Sequence, residues 1–184
     1  MHFRFIKQLF PDLKICKVAS KTKKDEDKFI EEFKEKFPDV QFVSCNSDFD
    51  FAADGADIIV TAVSCQQPLL KSKFIKEGAF YCHVGGYEDE YSVVKKADKI
   101  ICDSWEAVKH RSQTVSRMYQ ENLISDNDIY SDLVNILDGT VKGRENEKEF
   151  IYFNSVGLAF IDIAVANLVY KETEKKNLGT EINF

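Results

Sequence analysis

Several features that would indicate a particular chemistry are missing from this sequence of 184 residues. No histidines and cysteines are spaced like the ligands of a metal site, so we expect no bound metal. The chain contains no Walker loop, no Gly-x-Ser-x-Gly turn and no zinc signature. The cysteines stand singly, without a CxxC pair. This favours free thiols in a reducing cytoplasm over disulfides for Cys16, Cys45, Cys65, Cys82 and Cys102.

The sequence also lacks a net positive charge and long apolar runs. A net charge of −6 argues against nucleic acid or an acidic membrane as a partner, because both are polyanions. No apolar run is long enough to span a bilayer, and the first residues lack the pattern of a signal peptide. The sequence has 44% apolar and 30% charged residues, which is typical of soluble globular proteins. We therefore expect a soluble cytoplasmic protein, long enough for one domain with a hydrophobic core.

Strand-like and helix-like segments alternate through most of the chain. The run DIIVTAV at 57–63 is apolar without alternation, which is typical of a parallel strand covered on both faces. Right-handed crossovers between such strands predict a doubly wound α/β sheet of the Rossmann type. The segments predicted to be strands are 14–20, 41–46, 57–63, 79–85 and 99–104.

Helices are predicted where apolar residues recur every three or four positions. Phe3, Ile6 and Phe10 mark a first helix, and shorter helical stretches surround Phe74 and Val94. Two longer helices are predicted, one marked by Phe29, Ile30, Phe33 and Phe37, and one that starts at Trp105 and carries Val108, Val115, Met118 and Tyr119.

The last part of the chain has a different character. The segment FIYFNSVGLAFIDIAVANLVY predicts a strand that turns through Gly157 into a helix. That helix is apolar on nearly every side, and a helix without a polar face needs cover all round. We therefore expect another domain or another subunit to cover it.

Three segments resemble the ornithine cyclodeaminase/mu-crystallin family in order and spacing: GADIIVTAVS, AFYCHVGGYEDE and FNSVGLAFIDIAVANLVYKETEKKNLGTEINF. The resemblance covers the C-terminal half of that family. It implies a partial Rossmann domain over 1–148, in which the first strand and the glycine-rich phosphate-binding turn are absent. Residues 149–184 would form the segment that returns to the substrate-binding and dimerisation domain.

The absent strand has an expected energetic consequence. In the strand order 3-2-1-4-5-6 the first strand is central and pairs on both sides. About four buried side chains at ~1.5–3 kcal/mol each would be lost, or about 6–12 kcal/mol in all. This is comparable to the whole stability of a typical domain, ~5–15 kcal/mol. We therefore expect a chain that is marginally stable alone, prone to aggregation, or stabilised by a partner.

The resemblance also implies where NAD or NADP would bind. The triplet Ser20-Lys21-Thr22 lies where the fold reads the adenine ribose, and a cation there suits a 2′-phosphate. Instead of binding a cofactor, the triplet could be a polar turn with a solvated lysine. The other positions could be strand ends that need small residues. The further positions that would line the cofactor are Thr61, Ala62, Val84, Gly85, Ser155, Val156 and Gly157.

The catalytic position of the family is altered in this sequence. In cyclodeaminases an Asp after VGG serves as acid and base on the substrate amine, whereas here Tyr87 stands there. A tyrosine is a poor general base near neutral pH because its pKa is about 10. Asp89 could replace the missing Asp after a small loop shift, or belong to a solvated acidic loop. His83 is expected in the core or at a sheet end, and His110 on the solvated side of a helix.

The resemblance implies an NAD(P)-dependent enzyme that acts on a small amino or imino acid. The reaction would be deamination and cyclisation of ornithine to proline, ketimine reduction or amino-acid dehydrogenation, and the absence of the Asp argues against the first. The expected partner is a second copy of the chain or a complementary N-terminal half. The alternatives are a fragment that acts only in assembly with such a half, and an inert product of a broken gene.

Overall fold

The computed structural model describes residues 2–180 and 182. Seven β-strands are formed over this part of the chain: β1 (Ile15–Val18), β2 (Gln41–Ser44), β3 (Ile58–Thr61), β4 (Phe80–His83), β5 (Lys99–Cys102), β6 (Ser131–Asp132) and β7 (Ile151–Asn154). The same part contains eight α-helices: α1 (His2–Leu9), α2 (Lys23–Lys34), α3 (Phe49–Ala53), α4 (Tyr91–Lys96), α5 (Trp105–Val108), α6 (Thr114–Gln120), α7 (Leu133–Leu137) and α8 (Ala159–Lys175).

All strand pairs are parallel, in agreement with the predicted Rossmann-type sheet. The strands form one sheet with the order β1-β2 and a second with the order β3-β4-β7-β5-β6. The expected order 3-2-1-4-5-6 counts the absent strand as strand 1, so its strands 2 to 6 correspond to β1 to β5. This order is wrong in one respect, because β7 lies between β4 and β5. β7 is mostly buried, as a central strand requires, whereas β6 has only two residues and lies at the edge.

The division into two sheets leaves two open strand edges. Over the described residues β1 pairs only with β2, and β3 pairs only with β4. The opening lies where the resemblance places the missing first strand. One link across it is the Lys21 side chain, whose Nζ donates to the Ser64 carbonyl at 2.7 Å. A backbone edge without a partner is a template for another strand.

The larger core lies under the five-stranded sheet. Its fully buried side chains include Tyr81, Val93, Val108, Met118 and Tyr152. The Tyr81 and Tyr152 rings meet edge to face at 5.1 Å between centroids. This arrangement suits aromatic pairs better than a face-to-face stack.

A second, smaller core joins α1 and α2 to the two-stranded sheet. Phe3 of α1 is its centre, and its ring meets those of Phe33, Phe37 and Phe42 edge to face, with centroids 5.1–5.3 Å apart. The helical spacing predicted the apolar faces on which Phe3 and Phe33 meet. It is wrong for Phe10, which is exposed beyond the end of α1, and Phe37 packs here from beyond the end of α2. The two sheets therefore have separate cores.

The helix predicted from Trp105 onward is broken in two. Helix α5 ends at Val108 and α6 begins at Thr114, with Gln113 as its N-cap residue. The break lets the Gln113 side chain reach the ends of β4 and β7, as described below. The stretch predicted around Phe74 is a single 3₁₀ turn, Ser72–Phe74.

Helix α8 is exposed along its whole length. None of its residues is buried, and Phe160, Ile163 and Leu168 are 69%, 71% and 61% exposed. The prediction of an apolar helix that lacks cover within the chain is thus confirmed. Strand β7 belongs to the predicted C-terminal segment 149–184, so this segment contributes a central strand before α8 begins.

Candidate functional site

Four strands of the larger sheet end in register at one edge. Thr61 of β3 is paired with His83 of β4, and His83 with Asn154 of β7, which in turn pairs with Cys102 of β5. The loops that follow these strands therefore lie side by side at the carboxyl edge. They carry seven of the predicted cofactor residues, Thr61, Ala62, Val84, Gly85, Ser155, Val156 and Gly157.

A buried carboxylate joins the ends of β3 and β4. Glu88 is fully buried and accepts hydrogen bonds from Thr61 Oγ1 at 2.7 Å, from Gly85 N at 2.8 Å and from Val63 N. A Cβ atom on Gly85 would collide with this carboxylate and lie 2.7 Å from the Val63 carbonyl oxygen. Position 85 therefore requires a glycine, because a larger residue would leave no room for the Glu88 carboxylate.

A buried amide joins the ends of β4 and β7. Gln113 Nε2 donates to the Gly85 and Ser155 carbonyls, both at 2.9 Å. Its Oε1 accepts from Asn154 Nδ2 at 2.7 Å, and Asn154 Oδ1 lies 2.7 Å from His83 Nδ1. The chain of bonds fixes both loops through one side chain.

A second carboxylate holds the turn after β7. Asp103 Oδ2 accepts from Ser155 Oγ at 3.1 Å, Val156 N at 2.9 Å and Gly157 N at 2.8 Å. Gly157 has φ of +78°, in the left-handed region that favours glycine. The three residues that the resemblance places near the nicotinamide are thus held by a single group.

Beneath this edge lies a fully buried cluster of ionisable side chains. His83 Nε2 lies 3.4 Å from Glu88 Oε2 and 3.5 Å from Asp89 Oδ1. Asp89 Oδ1 also accepts from Thr114 Oγ1 at 2.7 Å and Tyr152 OH at 3.2 Å. Burial raises the pKa of Asp89 to about 6, against the lowering effects of His83 and of these hydrogen bonds.

We predict that Asp89→Asn will flatten the dependence of stability on pH between about 4 and 6. The pKa of Asp89 is higher in the folded chain, about 6, than its ordinary value of 3.8. Protonation therefore stabilises the fold fully below about pH 4, and this contribution is lost as pH rises through about 6. At pH 8 the variant should be more stable by on the order of 2 kcal/mol, because Asn carries no charge into the core.

Urea unfolding at pH 4.5 and pH 8, followed through Trp105 fluorescence, measures this effect. Asp57→Asn is the control, because that side chain is 87% exposed. An Asp89→Asn variant that keeps the pH slope of the natural chain would rule out Asp89 as its source. The groups facing Asp89 that must be considered with it are His83, Glu88, Tyr81 and Tyr152.

The remaining predicted binding residues lie at the end of β1, across the opening in the sheet. Ser20 N donates to Glu26 Oε1 at 3.0 Å, and Lys21 Nζ donates to the Ser64 carbonyl. Thr22 caps α2, since its Oγ1 accepts from Asp25 N at 3.3 Å. The triplet is therefore an ordered turn.

Tyr87 and Asp89, the residues considered for catalysis, have different surroundings. Tyr87 is half-buried, with the Arg117 guanidinium 4.7 Å from the centre of its ring. Asp89 is fully buried, so the expectation of a solvated acidic loop is wrong for it. His83 is buried in the core, as predicted. His110 is exposed as predicted, but it lies in the turn between α5 and α6 and not on a helix.

Sequence reasoning missed the groups that hold the site together: Glu26, Glu88, Asp103 and Gln113. Nothing in the residues around each of them indicates that its side chain is buried. Over the described residues no group of three or more His, Cys, Asp or Glu side chains could hold a metal ion. All five cysteines are free thiols. No helix in 2–180 has the length and apolar character to cross a membrane.

The turn after β1 and the loop after β3 lie on the two sides of the opening in the sheet, which is the position of the ligand crevice in doubly wound proteins. The eight glycines of the sequence contain no GxGxxG pattern. The chain therefore offers no glycine-rich cradle for a pyrophosphate.

The strands are parallel and alternate with helices. The connection from β1 to β2 runs away from the opening on one side, and that from β3 to β4 on the other. These features define a Rossmann-type α/β protein. The particular family follows from comparison. The ornithine cyclodeaminase/mu-crystallin family matches residues 1–177, and the chain belongs to that family.

Several of the relatives are named as reductases or dehydrogenases. The chain is 28% identical to a Δ1-pyrroline-2-carboxylate reductase of Bacillus cereus, over 94% of this chain and 54% of the relative. The structure of the Thermococcus litoralis Δ1-pyrroline-2-carboxylate reductase with NADH and L-proline is 29% identical with a TM-score of 0.86, over 92% of this chain and 53% of that one. An archaeal alanine dehydrogenase dimer with bound NAD is 26% identical with a TM-score of 0.88, over 100% and 56%. The chain thus spans about half the length of these relatives.

Proposed function

We propose that this chain provides the cofactor-binding part of an NAD(P)-dependent enzyme that acts on a small amino or imino acid. The observation that carries the proposal is the set of loops after β3, β4 and β7, which Glu88, Gln113 and Asp103 hold together at one edge of the sheet. The relatives support it, because two of the structures contain NADH or NAD and one also contains L-proline.

In this proposal the bound nicotinamide supplies or accepts the hydride, and the chain positions it. The turn Ser20–Thr22 holds the adenosine end. Thr61, Ala62, Val84 and Gly85 line the groove. Ser155, Val156 and Gly157 face the nicotinamide with a backbone that Asp103 keeps in place.

The chemistry we favour is reduction of an imine or dehydrogenation of an amino acid. Cyclodeaminase chemistry requires an acid and base at the position of Tyr87, and a neutral phenol is a weak base. The burial of Asp89 argues against its replacing that group. Tyr87 thus supports a reductase or dehydrogenase over a lyase.

A second candidate is a role in assembly, with catalysis only after a complementary part has bound. The open edges of β1 and β3 and the exposed α8 favour it, because both are surfaces that another segment would cover. The covering part would be a second copy of the chain or a separate N-terminal half. Five free thiols suit the reducing cytoplasm as the compartment.

NADH fluorescence titration tests the proposal and separates the two candidates. The chain is titrated alone and then together with the part of the Bacillus cereus reductase that it does not match. Binding at about micromolar concentration by the chain alone supports the first candidate, and binding only by the mixture supports the second. NADH oxidation with Δ1-pyrroline-2-carboxylate then tests the substrate class. Absence of binding in both samples would contradict the proposal.

A further inference from the structure

The carboxylate of Glu26, near the proposed adenosine end, accepts four hydrogen bonds, two on each oxygen. Its Oε1 accepts from Ser20 N at 3.0 Å and Ser47 N at 2.7 Å. Its Oε2 accepts from Ser44 Oγ at 2.6 Å and Asn46 N at 2.9 Å. Glu26 is fully buried. We call these four donors, from Ser20, Ser44, Asn46 and Ser47, the anion cradle.

The backbone is shaped to make this cradle. Asn46 and Ser47 both have left-handed conformations, with φ of 52° and 63°. In this turn the N–H groups of both residues point at the Glu26 carboxylate, and converging backbone N–H groups in a turn form a concave site for an anion. Burial opposes ionisation of Glu26, but the hydrogen bonds from the cradle hold its pKa below the ordinary value. The cradle is therefore filled by a negative charge of the chain itself.

The anion cradle lies where the chain would distinguish NAD from NADP. Its residues lie just after β1 and at the end of β2 or just after it, on the side of the opening where a doubly wound fold binds the adenine ribose. NADP differs from NAD by a phosphate on the 2′-hydroxyl of that ribose. A phosphate there would need donors, and the Ser20 backbone donor is already used.

The neighbouring donors are also engaged within the chain. Thr22 Oγ1 lies 2.6 Å from Asp25 Oδ2, and Lys21 Nζ donates to the Ser64 carbonyl at 2.7 Å. Asp25 and Glu26 place two carboxylates in the first turn of α2. A 2′-phosphate would meet these charges at a helix end that otherwise attracts anions.

We propose that Glu26, by filling the anion cradle, makes the site select the nicotinamide nucleotide without a 2′-phosphate. Asp25 contributes to the same selection by engaging Thr22. The inference rests on the proposed function, since it requires that a nicotinamide nucleotide binds. It runs against the preference for the 2′-phosphate that Lys21 suggested in the sequence.

The test compares two pairs of ligands. NADH and NADPH are titrated by fluorescence, and 5′-AMP and adenosine 2′,5′-bisphosphate by NMR, on the natural chain and on Glu26→Ala. The natural chain should bind the ligand without the 2′-phosphate about tenfold more tightly or better. Glu26→Ala should shift that ratio about tenfold or more toward the phosphorylated ligand, because the cradle then offers free donors. Glu31→Gln, on an exposed position of the same helix, should leave the ratio unchanged.

A second variant covers the case in which Glu26→Ala does not fold. Asp25→Asn changes an exposed side chain and should shift the ratio in the same direction, by about two- to fivefold. Equal or tighter binding of the phosphorylated ligand to the natural chain would overturn the inference, as would an unchanged ratio in a folded Glu26→Ala. In those cases NADH still binds and the proposed function stands. If no nucleotide binds to any of the proteins, either alone or mixed with the complementary part of the reductase, the proposed function fails and the inference fails with it.

Discussion

Replacing the fully buried Glu88 by alanine should lower the free energy of unfolding by about 3–5 kcal/mol, because Val63 N and Gly85 N lose their acceptor and each group left unpaired inside the fold costs about 1–3 kcal/mol. The Thr61 hydroxyl loses a partner as well, and the removed carboxylate leaves a cavity. A loss of this size is a large part of the ~5–15 kcal/mol that stabilises a typical domain. We therefore expect a chain that is largely unfolded at 37 °C.

Urea unfolding monitored by circular dichroism measures this loss. Glu77→Ala is the matched control, since its side chain is 68% exposed and its loss should change stability by less than about 0.5 kcal/mol. Glu88→Gln keeps one acceptor but turns an amide N–H toward a donor, so it should fall between the two. If Glu88→Ala is as stable as the control, Glu88 does not hold the strand ends together.

Removing residues 158–184 should abolish self-association and leave the stability of the sheet within about 1 kcal/mol. The first effect follows because α8 carries the largest set of exposed apolar side chains, Phe160, Ile161, Ile163, Val165, Leu168, Val169 and Tyr170. The second follows because no residue of α8 is buried in the chain. Analytical ultracentrifugation measures association, and urea unfolding measures stability.

Two substitutions on one face of α8 test the same point without a deletion. Val165→Glu with Leu168→Glu should weaken association about 100-fold, since each apolar side chain contributes about 1.5–3 kcal/mol when buried. Lys171→Glu with Lys175→Glu is the control on the same helix and should have a much smaller effect. Association that survives the apolar substitutions would show that another surface, such as the open edges of β1 and β3, carries it.

Much of the fold could be predicted because its signals are local. The apolar run at 57–63 indicated a parallel strand, and the spacing of Phe29 and Phe33 indicated the face of α2 that packs in the smaller core. The break between α5 and α6 could not be predicted in this way. It depends on the contact of Gln113 with Gly85 and Ser155, which are 28 and 42 positions away.

The candidate site could be predicted only in outline. Parallel strands end at a common edge, so Thr61, Val84 and Ser155 were expected to lie near one another, and they do. The groups that hold them in place gave no sequence signal. Glu26 and Glu88 both lie in short acidic runs, and such a run has the same pattern whether one of its glutamates is solvated or enclosed by backbone donors.

From the sequence alone came the strand and helix segments, the parallel α/β class and the family, because periodicity and short motifs depend on neighbouring residues. Only the tertiary structure decided that β7 lies between β4 and β5, that the helix after Trp105 is broken before Thr114, and that Glu26 and Glu88 are buried. These features depend on hydrogen bonds and packing between distant parts of the chain. Burial of a charged group is favourable only where several such donors converge, and that convergence exists only in the folded chain.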